Sequence, residues 1–289
     1  MGEASLDGRR ILVVGASAGI GRAVGQAAVR AGASVVFAAR RTEQIDAAIA
    51  EAGGGYGVTA DVRVPGDCAR LAQETVAALG GIDIIVYATA ISPLRRLRDS
   101  DTDTWAQVLE TNLVGVHEVV RAALPHLSAH AVVAVLSSDS VGVPRPGLVP
   151  YAASKAALEE TLRGWRVEHP EVRWMCITVG PTIPTEFGIH FDPDLVGELF
   201  ADWARLGMNH SSMMDTTDVA DMIVGTLALV GAYPGIGCEH IVLRPAAGIV
   251  DSADHVQAAF DQMQAGASVV RRDDEQRANH QIGASGASP

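Results

Sequence analysis

The chain has 289 residues, which is enough for one large α/β domain with a well-filled core. It carries 22 lysines and arginines against 34 aspartates and glutamates, and this net charge of −12 without a basic block argues against nucleic acid as a partner. The N-terminus lacks the apolar region of a signal peptide, and no apolar run approaches the ~18 residues of a membrane span. We therefore expect a cytoplasmic protein that does not bind membranes.

The cysteines and histidines give no pattern of a disulfide or a metal site. Cys68, Cys176 and Cys238 are widely spaced and form no C-x-x-C pair. Cys176 lies in an apolar run, where a small buried thiol is expected. The nine histidines are scattered, and none belongs to an H-E-x-x-H pattern. We predict no disulfide and no metal.

A strand, a glycine-rich turn and a helix open the chain. The apolar run from Ile11 to Val14 is typical of a strand that is buried on both faces of a parallel sheet. A glycine-rich turn follows, spaced Gly-x-x-x-Gly-x-Gly, and then a helical stretch to about Ala31. Glycines let the backbone approach a ligand closely, and the N–H groups at a helix start favour a phosphate. The turn is not a P-loop, but its context predicts that a dinucleotide binds at Gly15, Ser17, Gly19, Ile20 and Gly21.

The end of the second predicted strand, Ser34 to Ala38, bears on the choice between NAD and NADP. An acidic residue at this place would bind the ribose 2′-hydroxyl of NAD and repel the 2′-phosphate of NADP. Here the acid is absent, and Arg40 and Arg41 follow the strand instead. Because the planar guanidinium suits phosphate oxygens, NADP(H) is the preferred cofactor, with NAD(H) as the alternative.

Strands and helices then alternate along the chain, which predicts right-handed crossovers and a doubly wound parallel sheet, a single Rossmann-like α/β domain. The remaining strands are predicted near residues 56–60, 82–88, 131–136, 172–179 and 239–243, and the helices near 42–52, 66–79, 102–124, from 151, and 218–229. Ligands of such sheets bind at the carboxyl ends of the strands. Five strand ends deliver Gly15, Arg40, Asp61, Ala88 and Ser138 to that edge.

Tyr151 and Lys155 are the candidate proton-transfer pair. They stand four residues apart, so on a helix they share one face, and an ammonium beside a phenol lowers the tyrosine pKa. Such a tyrosine can move a proton near neutral pH. Ser138 lies thirteen residues before Tyr151, across a glycine- and proline-rich loop, and could hold a substrate oxygen.

The C-terminal part of the chain is less regular. The segment 186–214 mixes aromatic residues and methionines with polar residues, and it is either an apolar lid over the site or an ordinary helical pair packed on the sheet. We assign residues 1–264 to the domain. Residues 265–289, rich in Ala, Gly, Ser and charged residues, are predicted to be a mobile tail.

Taken together, the turn from Gly15 to Gly21, Asp61, Asn112, Ser138 and Tyr151-x-x-x-Lys155 resemble the short-chain dehydrogenases/reductases, in their compact single-domain branch, over roughly residues 8 to 245. The resemblance implies that Tyr151 is the general acid/base, that Lys155 lowers its pKa and binds the nicotinamide ribose, and that Ser138 orients the substrate. It also implies that Asn112 kinks its helix and holds a water linked to Lys155. The remaining implied cofactor contacts are Asp61 and Val62 at the adenine, Ala88 at the fourth strand end, and Ile183 and Thr185 at the carboxamide.

The chain departs from the family pattern in three places, one of which is Val14, where threonine is common. Where the family has Asn-Asn-Ala-Gly after the fourth strand, this chain has Tyr87-Ala88-Thr89-Ala90, and the usual Pro-Gly after the sixth strand is reversed as Gly180-Pro181. The expected activity is NADP(H)-dependent interconversion of a carbonyl and an alcohol, on a partly apolar small molecule. The alternative is a cofactor-binding protein without turnover that senses redox state or acts as a scaffold. The altered fourth-strand end favours it slightly, but the intact Ser138, Asn112, Tyr151 and Lys155 argue against it more strongly. A nucleotide-sugar epimerase or dehydratase is a weaker rival, because the segment 186–214 is short for its substrate domain.

The resemblance also implies a homotetramer or a homodimer, assembled through the helices near 102–124 and 151–168. The apolar residues of these helices, such as Trp105, Leu113 and Leu162, could equally belong to the core.

Overall fold

A sheet of seven parallel strands forms the centre of the computed structural model, which describes residues 5–210 and 212–246. The bounds of its strands are β1 Arg10–Val14, β2 Ser34–Ala39, β3 Tyr56–Thr59, β4 Ile82–Tyr87, β5 Leu127–Ser138, β6 Arg173–Val179 and β9 His240–Leu243. They lie in the order β3-β2-β1-β4-β5-β6-β9. A separate two-stranded ribbon pairs β7, Thr182–Ile183, with β8, Met214–Asp215.

Helices cover both faces of the sheet. Their bounds are α1 Gly19–Arg30, α2 Thr42–Ala52, α3 Pro65–Leu79, α4 Thr102–Leu109, α5 Gly115–Ala123, α6 Val149–Glu168, α7 Pro193–Arg205 and α8 Thr216–Ala232. Alternate residues of each strand enter opposite cores: Ile11 and Val13 pack with α1 and α8, whereas Leu12 and Val14 pack with α3, α5 and α6. This burial on both faces confirms the predicted doubly wound parallel sheet.

Three predicted elements have different bounds in the structure. The long helix expected from 102 to 124 is interrupted by a π-helical turn, Glu110–Val114, which separates α4 from α5. The strand β5 begins at Leu127 rather than near Ala131, and α6 begins at Val149, so Tyr151 lies in its first turn. Residues 247–264 of the predicted domain and the predicted tail 265–289 lie outside the described residues.

A third, smaller core connects the segment 186–214 to two loops of the domain. It contains Val196, Leu199, Phe200 and Trp203 of α7 together with Leu94 and Leu148. Its position places α7 over the loops that follow β4 and precede α6, on the side where the strands end. Among the described helices, none is long and apolar enough to cross a membrane.

Candidate active site

The glycine-rich turn after β1 has the close backbone packing that a dinucleotide site requires. Gly15 has a φ of +92°, and a Cβ there would lie 2.7 Å from the backbone nitrogen of Thr89. A Cβ on Gly21 would lie 2.3 Å from the carbonyl oxygen of Gly15. No side chain caps the first turn of α1, so its N–H groups are available to an anion. The turn therefore fits a cofactor pyrophosphate.

A cavity of about 1390 Å³ runs from this turn along the carboxyl ends of the strands. It is large enough for a dinucleotide together with a small substrate. Its walls include every predicted site residue except Asn112: Gly15, Ser17, Gly19, Ile20, Gly21, Arg40, Arg41, Asp61, Val62, Ala88, Ser138, Tyr151, Lys155, Ile183 and Thr185. The convergence of strand ends expected from the sequence thus places these residues around one space.

The two arginines after β2 have different surroundings. Arg41 forms an ion pair with Glu186, at 2.6 Å, and its Nη2 also donates to the Ser17 hydroxyl at 3.1 Å. Arg40 is exposed, lines the cavity and makes no hydrogen bond or ion pair with another described residue. Asp61, at the end of the next strand, is paired with Arg63, which holds the pKa of that carboxyl below its usual value.

Ser138 and Tyr151 meet at the cavity wall. The Ser138 hydroxyl accepts a hydrogen bond from the backbone N–H of Ser140 at 3.1 Å, which leaves its own proton to donate. Tyr151 is buried, and the ring of Phe187 packs against it edge-on at 5.3 Å. Burial raises the pKa of Tyr151 to about 12, and hydrogen bonding with Ser138 acts in the opposite direction.

Lys155 lies one helical turn below Tyr151, fully inside the protein. Its Nζ donates to the carbonyl oxygen of Leu136 at 2.7 Å and stands 5.9 Å from the centre of the Tyr151 ring. Burial lowers the pKa of Lys155 to about 8. Burial dominates at the phenol and sets the pKa of Tyr151 above its usual value. The lowering of that pKa by Lys155 stays a prediction.

Asn112 lies in the π-helical turn, behind the cavity. Its side-chain oxygen accepts from the backbone N–H of Ile91 at 2.8 Å, and its side-chain nitrogen donates to the Ile91 carbonyl and to the Ser154 hydroxyl. Ser154 in turn donates to the carbonyl of Tyr151 at 2.7 Å. Asn112 therefore joins the loop after β4 to the first turns of α6. Its expected water link to Lys155 stays a prediction.

Tyr87, where the family pattern has an asparagine, also braces the π-helical turn. Its side chain is completely buried, and its hydroxyl donates to the Thr111 carbonyl oxygen at 3.2 Å. Burial raises its pKa, so it stays protonated. At this position the family pattern has an asparagine amide, whereas this chain has the phenol of Tyr87, which binds the π-helical turn that contains Asn112.

Sequence reasoning missed a charged cluster beside Ser138. Asp139 forms a buried ion pair with Arg145 at 2.9 Å, and His210 approaches the same carboxylate at 3.2 Å. Asp139 could have been found, because it follows Ser138 at a strand end. Arg145 and His210 gave no signal in the sequence, since their contacts depend on the folding of two loops.

A second unpredicted cluster lies on the far side of Lys155. Potential ligand atoms of Glu159, Cys176 and His240 are within 4.8 Å of one another. Two of them are engaged: Glu159 accepts from Ser137 at 2.6 Å, and the His240 ring pairs with the Thr178 hydroxyl at 2.7 Å. Burial raises the pKa of the Cys176 thiol to about 11, which disfavours the thiolate that binds metals. All three cysteines of the chain are free, as expected.

Comparison with known proteins decides the family. The sequence pattern of the short chain dehydrogenases matches residues 9–194, more than half of the chain. The chain belongs to the short-chain dehydrogenase/reductase family. As a short-chain dehydrogenase/reductase it has a central parallel sheet, and its cavity lies along the carboxyl ends of the strands.

Two curated relatives and one solved structure illustrate the similarity. The chain is 31% identical to dehydrogenase/reductase SDR family member 4 of Bos taurus, over 61% of this chain and 66% of that protein. It is 31% identical to 11-beta-hydroxysteroid dehydrogenase-like 4A of Arabidopsis thaliana, over 70% of this chain and 68% of that one. A short chain dehydrogenase from Burkholderia cenocepacia J2315, solved in complex with NADP, is 26% identical with a TM-score of 0.70, over 82% of this chain and 97% of that one. Among the first curated relatives, the chain matches about half to two thirds of their length.

Proposed function

We propose that this protein is an NADP(H)-dependent oxidoreductase that interconverts a carbonyl and an alcohol by hydride transfer. The observation that carries the proposal is the meeting of Ser138, Tyr151 and Lys155 in one cavity with the tightly packed glycine turn. Family membership supports it, because the curated relatives are named as dehydrogenases and reductases.

In this mechanism, the nicotinamide supplies or accepts the hydride. During reduction, Tyr151 donates its phenolic proton to the carbonyl oxygen, and the raised pKa of the buried phenol keeps that proton in place at neutral pH. The Ser138 hydroxyl, whose oxygen accepts from the Ser140 N–H, donates its own proton to the same substrate oxygen and steadies the charge that develops there. During oxidation, Tyr151 must first lose its proton, with Lys155 as the nearby cation.

We propose NADP(H) rather than NAD(H) because of the surroundings of Arg40. Its guanidinium makes no hydrogen bond or ion pair with a described residue and acts on Asp61 only through its charge. It directly follows β2 and lines the cavity, where a ribose 2′-phosphate would need a cation. Arg41 is less suited, since Glu186 already neutralises it. The Burkholderia relative was solved with NADP, which supports the same choice.

The substrate is proposed to be a partly apolar small molecule. The cavity wall opposite the glycine turn comes from the segment 186–214 and nearby loops, and it is rich in large apolar side chains. These are Leu94, Phe187, Phe191, Val196, Phe200, Trp203, Met208 and Met213. Binding of an apolar ketone or alcohol against such a wall is favourable, because apolar surface on both is removed from water. We further propose that the protein is a homo-oligomer in the cytoplasm.

Substitution of Tyr151 by phenylalanine tests the proposed function. The variant loses the proton but keeps the ring that packs against Phe187, so turnover should fall by about 10²-fold or more. The measurement is NADPH consumption with a panel of aldehydes and ketones, together with NADPH binding followed by fluorescence. Binding should be nearly unchanged, which would separate lost chemistry from a damaged site.

Tyr233→Phe is the matched control, because this tyrosine is half exposed and lies outside the cavity walls. It should keep wild-type turnover. Full turnover in Tyr151→Phe would disprove the assigned mechanism. A wild-type protein that binds NADPH but reduces no member of a broad panel would favour the non-catalytic alternative.

A further inference from the structure

An ion pair between Asp139 and Arg145 lies in the cavity wall, next to the proposed proton-transfer group. The two side chains are only 8% and 12% exposed, and the contact is bidentate: Arg145 Nη1 lies 3.1 Å from Asp139 Oδ1, and Nη2 lies 2.9 Å from Oδ2. Burying two charges costs desolvation free energy that their mutual attraction often fails to offset. Stability alone therefore does not account for the pair, and its position suggests a role in the site.

The pair connects three segments that surround the site. Asp139 follows Ser138 at the end of β5, and Arg145 lies in the loop before α6. Arg145 Nη1 also donates to the Ser140 hydroxyl at 3.3 Å, and the Ser140 N–H donates to the Ser138 hydroxyl. From the segment 186–214, His210 approaches Asp139 Oδ2 with its Nε2 at 3.2 Å. Each partner of the pair is thus linked to the groups that hold the substrate oxygen.

We propose that Asp139 and Arg145 are positioning residues that balance the electrostatic field at the Tyr151 hydroxyl. The Asp139 carboxylate favours retention of the phenolic proton of Tyr151, and the Arg145 guanidinium favours its release. The proposal rests on the proposed role of Tyr151 in proton transfer. Neither residue has to contact the substrate for this role. Together they allow one tyrosine to act as an acid in reduction and as a base in oxidation.

The charged groups around the phenol support this assignment. The negative charge of Asp139 acts to raise the pKa of Tyr151, and the positive charge of Arg145 acts to lower it. From α6 itself, Lys155 faces the ring at 5.9 Å. From the segment 186–214, Phe187 packs an uncharged ring edge against the phenol, and His210 contacts Asp139.

Charge-altering variants of the two partners test the proposal, because a structural brace and a pair of opposing charges give different results. Asp139→Asn should lower the pKa of Tyr151, and Arg145→Met should raise it, each on the order of one unit. Arg145→Lys keeps the charge without the bidentate fork and should stay near wild type. The double variant Asp139→Asn/Arg145→Met should also return towards wild type.

Two readouts follow these shifts. The first is the ring carbon resonance of Tyr151 in protein labelled with ¹³C-tyrosine, assigned by its absence in Tyr151→Phe. At a fixed alkaline pH where all variants keep their native circular dichroism, the ionised fraction should rise in Asp139→Asn and fall in Arg145→Met. The second is the pH dependence of kcat/KM for alcohol oxidation, which needs the tyrosinate: its rising limb should move to lower pH in Asp139→Asn and to higher pH in Arg145→Met.

The outcomes separate this proposal from the proposed function. Three outcomes would overturn the electrostatic role and leave the pair with a purely structural role. They are shifts of the Tyr151 pKa in the same direction for both single variants, no shift in either, or an Arg145→Lys variant that behaves like Arg145→Met. The shift of Asp139→Asn must also persist in a His210→Gln background, which removes the other titratable partner of Asp139. If Tyr151→Phe keeps full activity, the proposed function fails, but the resonance still decides whether the pair acts on Tyr151.

Discussion

Arg40 and Arg41 are neighbours in the sequence, yet only one of them is free to bind a phosphate. Arg41 is held by Glu186 and Ser17, whereas Arg40 has no hydrogen-bond or ion-pair partner among the described residues. A guanidinium that must first leave a carboxylate gains less from a new phosphate. The cofactor choice should therefore depend on Arg40 far more than on Arg41.

The matched variants Arg40→Ser and Arg41→Ser test this expectation. Arg40→Ser should weaken NADPH binding about tenfold or more, which corresponds to the loss of charge-assisted hydrogen bonds, and leave NADH binding nearly unchanged. Arg41→Ser should have a smaller effect on NADPH. Fluorescence titrations with both nucleotides measure the ratio. Equal losses in the two variants, or an unchanged ratio in Arg40→Ser, would contradict the assignment.

At this scale, the sequence predicted residues whose placement depends on local structure. Gly15 directly follows β1 and Ser138 is the last residue of β5, so both line the cavity at the carboxyl ends of parallel strands, which is a local property. Asp139 and His210 are 71 residues apart, and no local pattern brings them together. The pKa of Tyr151 was also beyond the sequence, because it depends on how deeply the fold buries the phenol.

The π-helical turn between α4 and α5 shows why element boundaries are harder to predict. The sequence from 102 to 124 has a helical pattern throughout, and the interruption at Glu110–Val114 adds no breaking residue. Only the family resemblance, through the kink that it implies at Asn112, pointed to this place. Tertiary contacts hold the turn instead: Tyr87 binds the Thr111 carbonyl, and Asn112 binds Ile91 and Ser154. π-helical turns occur frequently at functional sites, and this one lies behind the cavity.

The helix α7 has its own anchoring to the rest of the domain. Leu199 is fully buried and packs on Gly147, where a Cβ would lie 2.4 Å from its Cδ1. Trp203 donates to the Pro146 carbonyl at 2.8 Å, and Arg96 pairs with Asp202 at 3.0 Å. These contacts are separate from the two sheet cores, so we expect α7 to open without unfolding of the sheet.

Leu199→Ala tests whether the segment 186–214 acts as a lid. Removal of this buried side chain should weaken the packing of α7 by about 2–5 kcal/mol. Amide hydrogen exchange should then become faster in α7 but not in β1, β4 and β5. The KM for an apolar substrate should rise, with little change in NADPH affinity.

Leu71→Ala is the control, since Leu71 is equally buried but belongs to the core between the sheet and α3. It should lower the free energy of global unfolding without selectively exposing α7. If Leu199→Ala gives the same exchange pattern as Leu71→Ala, α7 unfolds only with the whole domain, and the lid is excluded.

At the scale of the whole molecule, the fold class was predictable, whereas the strand order was not. Short apolar strands that alternate with helices indicate a doubly wound sheet by themselves. Which strands become neighbours is decided by crossovers and by the burial of whole faces. β1 and β4 pair at the centre although more than fifty residues separate them in the chain, and β9 completes one edge beside β6.

The assembly of several copies of the chain is expected to involve the surface of helices α4 to α6. Leu162 belongs to the core, but Trp105 and Leu113 are only half-buried, and Val114 is 48% exposed. Apolar side chains on neighbouring helices lower the free energy when a second copy covers them. We therefore expect light scattering at micromolar concentration to show a dimer or a tetramer.

Val114→Lys should shift that distribution to smaller species, because a charge at the centre of an interface stays unpaired and must be desolvated. Tyr56→Lys is the matched control: Tyr56 is 51% exposed on the edge strand β3, away from these helices. It should leave the assembly unchanged. A wild-type protein that scatters light as a monomer would refute the oligomer, and a loss of assembly in Tyr56→Lys alone would move the interface from α4–α6 to the β3 edge of the sheet.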